Sequence, residues 1–183
     1  MPALAPVPPL PKVTVPLNSL IPPLYRHYFN RYPDRPNYLM RRYDFPGDLG
    51  FLPLVRAFLD TCAAAQSADY RYLFTLLGSE LAGNAVEHTR SGKPGGTYSL
   101  LVRRHTDALT LTCQDEGTVA PFIPAPRPAE LSAYPLGTDA DSGRGLALVD
   151  ALSTAWGDNG RADHRHVWFR LDYDLTDNPW TTS

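Results

Sequence analysis

The sequence predicts an α/β fold, a two-layer sandwich in which one mixed, mainly antiparallel sheet carries helices on one face. Three observations predict it. Two long stretches between positions 48 and 89 repeat apolar residues at three- and four-residue spacing, the period of a helix. In Ala108–Gln114, Leu109, Leu111 and Cys113 alternate with Thr110, Thr112 and Gln114, as in a half-buried antiparallel strand. The order of segments is strand, two helices, two strands, a long irregular stretch, helix, two strands, so helical blocks separate the strands.

Residues 1–36 form a proline-rich arm that holds about half of the 19 prolines in the chain. Its PALAPVPPLPKVTVP run favours polyproline II, yet its Leu, Val and Tyr content predicts that part of it docks on the body or on a second copy. Tyr25–Tyr32 has room for one or two helical turns. Residues 37–176 form the main domain and 177–183 a polar tail.

Tyr38–Phe45 reads as a strand, ended by Pro46 and Gly47. Asp48 caps a helix to about Ala65, with Phe51, Leu52, Val55, Phe58 and Leu59 on the helical period. Asp69–Thr89 is the next helix, with Asp69 as its expected N-cap. Gly92–Gly96 is a loop, and Thr97–Arg104 and Ala108–Gln114 are strands joined by a turn at His105–Asp107. About 25 residues without periodicity then run to Ser142, a length typical of a lid or binding loop. Gly143–Leu152 reads as a helix, Ala155–Asp158 as a short strand and Val167–Tyr173 as a longer one.

Composition narrows the function. A net charge of −2 leaves no basic surplus for a nucleic-acid footprint. No run of about 18 apolar residues could span a membrane. No signal pattern opens the chain, and Cys62 and Cys113 stand alone without metal spacing, which fits a reducing cytoplasm.

The chemistry concentrates in three short segments. On the 69–89 helix, Leu73, Leu77, Glu80, Asn84 and Glu87 share one stripe at about 100° per residue. The stripe begins as leucine and turns into carboxylate and amide. Either its second half faces a polar, ligand-holding cavity, or the helix rotates and Glu80 reaches water; the helix alone leaves both open. Asp115-Glu116-Gly117 ends a strand, where a carboxylate can accept from an exocyclic amine such as that of adenine, although a turn Asp followed by Gly is also common. Gly143-Arg144-Gly145 opens a helix whose N–H groups and dipole suit phosphate, with Arg144 adding a matched charge. There is no GxxxxGK[ST] P-loop, and the third glycine of the dinucleotide fingerprint is absent. Asn84 offers one neutral oxygen, which suits Mg²⁺ that takes its other ligands from water and phosphate. Glu80, one turn earlier, is placed to orient or deprotonate a nucleophile.

Together these segments resemble the GHKL (Bergerat-fold) ATPase superfamily, and within it the bacterial anti-sigma-factor serine/threonine kinases. SELAGNAVEH at 79–88 resembles the N-box, DEG at 115–117 the start of the G1 box, and GRGLALVDALSTAWG at 143–157 the G2 box. The resemblance covers about 37–174 and implies a Bergerat-type sandwich that binds ATP and Mg²⁺. It implies that Glu80 is the catalytic base, Asn84 the Mg²⁺ ligand and Asp115 the adenine reader. Gly117, Gly143, Arg144, Gly145 and Leu146 would line the nucleotide, and His88 would lie near the phosphate or ribose edge. The implied partners are a sigma factor, an anti-anti-sigma protein phosphorylated on serine, and a second subunit. Two residues depart from the family pattern: Val119 replaces the second glycine of the G1 box, and His166 stands where a threonine often lies near adenine. These departures bear on kinase activity more than on fold, and a catalytically degenerate partner-binding module is the alternative.

Overall fold

The computed structural model describes residues 19–31, 38–118, 144–161 and 163–181. Five strands form one sheet: β1 (Met40–Pro46), β2 (Thr97–Arg104), β3 (Ala108–Gln114), β4 (Ala155–Asp158) and β5 (His166–Asp172). Their order is β1-β2-β3-β5-β4. Every neighbouring pair is antiparallel, so the parallel contribution expected of a mixed sheet is missing among the described residues. The cause is β5, which returns between β3 and β4 and keeps these two apart.

Helices α1 (Leu52–Cys62), α2 (Ala68–His88) and α3 (Arg144–Leu152) form the second layer. Asp48 does cap, but it caps a short 3-10 helix at Leu49–Phe51, where its carboxylate accepts from Gly50 N–H at 2.7 Å. Pro53 then occupies the first turn of α1, where its missing N–H costs nothing. The cap of α2 is Ser67 rather than Asp69: its hydroxyl accepts from Tyr70 N–H, and Asp69 sits in the first turn, where its charge still favours the positive helix end.

The core lies between the layers. Leu109, Leu111 and Cys113 of β3 and Val167, Phe169 and Leu171 of β5 face Leu73, Phe74, Leu77 and Leu81 of α2. Gly78 brings α2 close: a Cβ there would meet Leu59 at 2.6 Å and Leu111 at 2.9 Å. Tyr70, wholly buried, donates to the Leu171 carbonyl and accepts from Leu109 N–H.

Part of the arm docks as expected. Pro23–Tyr28 forms a 3-10 helix, Ile21 is buried, and Phe29 packs against Tyr43 of β1 and Phe58 of α1. Arg41 of β1, also buried, stacks under Tyr38 and Tyr28 with its guanidinium carbon 4.2 and 5.3 Å from their ring centres. At the other end, residues 177–181 fold back onto the helical layer. Asn178 donates to the Leu152 carbonyl, and Trp180 stacks on Tyr72 of α2. Among the described residues no helix is long and apolar enough to cross a membrane.

Candidate functional site

The buried ridge of α2 runs through Tyr70, Leu73, Phe74, Leu77, Gly78, Leu81, Ala82 and Ala85. Glu80 and Asn84 lie beside it, half-buried, and Glu87 is exposed. The stripe from Leu73 to Glu87 therefore leaves the core as it becomes polar. At Glu80 and Asn84 it neither points into apolar packing nor swings fully into water.

Gly145, in the first turn of α3, is what Glu80 and Asn84 lie against. A Cβ on this glycine would stand 2.7 Å from Glu80 Oε2 and 3.3 Å from Asn84 Nδ2. Two segments about 60 residues apart in sequence thus meet at a point that only glycine can occupy without pushing the carboxylate aside. Burial holds the Glu80 carboxyl above the usual carboxylate range; Arg56 of α1 partly offsets this and Glu87 adds to it.

Asp115 lies just past β3 and is 8 % exposed. One carboxylate oxygen accepts from Gly117 N–H at 2.7 Å, and among the described residues the second remains as an acceptor. Burial raises its pKa, an effect countered first by that Gly117 hydrogen bond and then by Arg165 and His166. Gly117 has φ of 67°, a left-handed conformation that favours glycine. His166 begins β5 opposite Gln114 and is half-buried.

The other candidates are placed as follows. Leu146 is half-buried and packs on the core. Arg144 opens α3. Gly143 and Val119 lie outside the described residues, as does almost all of the irregular stretch before Ser142. His88 is exposed on the last turn of α2, with Nε2 3.9 Å from Glu87 Oε2; among the described residues no contact joins it to Asp115 or Gly145.

Sequence reasoning missed what holds Asp115-Glu116-Gly117 to α2. Thr89 ends the helix and caps a 3-10 turn at Arg90–Gly92. Arg90 N–H donates to the Gly117 carbonyl at 2.7 Å, and its guanidinium grips the Glu116 carbonyl. Ser91, fully buried, accepts from Glu116 N–H. All of these bonds involve main-chain atoms of the turn, which carry no side-chain signature, so no residue pattern announces them.

The donor set fits a nucleotide with a magnesium ion. A buried carboxylate with a spare acceptor oxygen suits an exocyclic amine. An amide and a carboxylate stand one and two turns before the end of the same helix, beside a glycine-opened helix start. Among the described residues no cluster of three or more His, Cys, Asp or Glu could cage a metal alone; an ion held here would need most of its ligands from phosphate and water.

Comparison with known proteins bears on the same region. Residues 45–170, more than half of the chain, match the family model described as a histidine kinase-like ATPase domain. A stretch of 89 residues, 49 % of this chain, is 33 % identical to 75 % of an uncharacterized protein from Streptomyces coelicolor.

Proposed function

Because the chain belongs to the histidine kinase-like ATPase domain family of the GHKL superfamily, we propose that it is an ATP- and Mg²⁺-binding regulatory protein kinase of the anti-sigma-factor type. In this reading it sequesters a sigma factor or a related regulator and phosphorylates that regulator's antagonist on serine. The observation that carries it is the seating of Gly145 against both Glu80 and Asn84.

Each residue then has a role. Asp115 accepts the exocyclic amine of adenine, and the left-handed Gly117 keeps side-chain bulk away from the ring. Gly143, Arg144 and Gly145 line the phosphates at the start of α3, with Leu146 behind them. Asn84 would hold Mg²⁺ through its amide oxygen, and the ion when bound would supply charge neutralisation at the phosphates. The serine oxygen of the partner attacks the γ-phosphorus, the bond to the β–γ bridging oxygen breaks, and ADP leaves. Glu80 takes the hydroxyl proton, and its raised pKa makes it a better acceptor than an exposed carboxylate.

Replacing Glu80 tests this directly. Glu80→Ala should bind Mg-ATP within a few-fold of wild type by calorimetry yet lose phosphoryl transfer to its cognate partner by about 100-fold or more. Transfer at the wild-type rate would refute the role. The sigma factor or antagonist can be identified by co-purification and mass spectrometry.

A second reading is a partner-binding module that has lost catalysis. The position of His166 beside the proposed adenine pocket favours it, since an imidazole stands there instead of a hydroxyl. The absence of both binding heat and thermal stabilisation at millimolar Mg-ATP would decide for this reading. In either case we expect a cytoplasmic protein that forms a homodimer. Among the described residues β1 is an edge strand, with Met40 exposed in it and Leu39 exposed just before it, and this is the surface we expect to pair.

A further inference from the structure

We propose that Arg90 is a positioning residue that holds the base-reading turn in register with the polar end of α2. The inference rests on the nucleotide-binding reading above. Arg90 follows Thr89, whose hydroxyl donates to the Ala85 carbonyl and accepts from Ser91 N–H, so its backbone is anchored to the last turn of α2. From there Arg90 reaches two other segments. Its Nε and Nη2 converge on the Glu116 carbonyl at 2.8 and 2.5 Å, and Nη2 also donates to the Asp163 carbonyl at 2.9 Å in the turn between β4 and β5. Its main-chain N–H adds a bond to the Gly117 carbonyl.

Two consequences follow from this geometry. The Glu116 and Gly117 carbonyls both already accept hydrogen bonds from Arg90, so the turn presents the Asp115 carboxylate as its main acceptor for a base. The distance from that carboxylate to Glu80 and Asn84 is also set by a short, tied path: α2, Thr89, Arg90, then the turn. Only a guanidinium has coplanar N–H groups that can meet one carbonyl from two nitrogens and a second carbonyl from one of them. A lysine at this position would keep the charge and lose the fork.

The test compares ligands with and without a base. Wild type, Arg90→Lys and Arg90→Ala are titrated by calorimetry with Mg-ATP, Mg-GTP and magnesium tripolyphosphate, and each is melted without ligand. Arg90→Ala should bind Mg-ATP about tenfold or more weaker and show a smaller preference for ATP over GTP. Its tripolyphosphate affinity should stay within about twofold of wild type. Arg90→Lys should fall between, and it carries the test if Arg90→Ala does not fold. A parallel loss of ATP and tripolyphosphate binding would mean that Arg90 is merely structural and would overturn the proposal, as would unchanged ATP affinity and selectivity in a folded variant. Failure of wild type to bind any nucleotide would instead remove the underlying reading, and this proposal with it.

Discussion

Glu80, the proposed base, shows how a half-buried position tunes a carboxylate. Burial raises its pKa and Arg56 restrains the rise. The proposed base would work when ionised, so transfer should increase with pH through a midpoint above the ordinary carboxylate value of about 4.3. Arg56→Ala should move that midpoint further up in a pH–rate profile, because the offsetting cation is gone. Asp115 carries a different tension. Its folded pKa is raised, so the folded state holds the proton more tightly than the unfolded chain. Its contribution to stability is therefore complete below the unfolded pKa and is lost as pH rises through the folded one. At neutral pH the ionised carboxylate is a cost to the ligand-free fold. Asp115→Asn should raise the melting temperature by about 2–4 °C for each kcal/mol relieved, in differential scanning fluorimetry, while weakening ATP binding. At this scale the sequence offered candidates: Glu80 and Asn84 drew notice because polar groups interrupt an apolar period, whereas Asp115 at a strand end also reads as an ordinary turn residue and gained its expected role only beside the other segments. Arg90 was not, since it acts on main-chain carbonyls that every residue possesses.

Among the elements, glycines decide how closely helices approach. Gly145→Ala meets the mobile end of Glu80, which can move aside, but also its Cβ at 3.2 Å. It should cost about 1 kcal/mol or less of stability and still abolish most transfer, because the displaced side chain is the proposed base. Gly78→Ala meets Leu59 and Leu111 deep in the core, where little can yield, so urea unfolding should show a loss of about 1–3 kcal/mol with no specific effect on nucleotide affinity. The elements themselves were mostly readable. β2, β3 and β4 lie at their predicted residues; β3 is marked by its period of two, and the turn at His105–Asp107 separates it from β2. The start of α2 was misread by a cap because Ser67 and Asp69 are both good N-caps, and only the hydroxyl bond to Tyr70 N–H separates them. The sheet was expected to be mixed, and strand order is a long-range property that local periodicity does not encode.

At the scale of the molecule, both ends of the described chain return to the helical layer. The docked arm covers Tyr43, Phe45 and Phe58 with aromatic contacts. Deleting residues 1–31 should expose that cluster, lower the melting temperature by several degrees and raise binding of a hydrophobic dye, with the ATP site otherwise intact. The bond from the Tyr70 hydroxyl to the Leu171 carbonyl has a different consequence. It spans 101 positions, from the first turn of α2 to the last strand. On the ribosome, the phenol emerges long before its acceptor is synthesised. Translation must therefore pass Leu171 before the interior can close, and a nascent fragment stopped short of it exposes a sticky, half-built layer to chaperones.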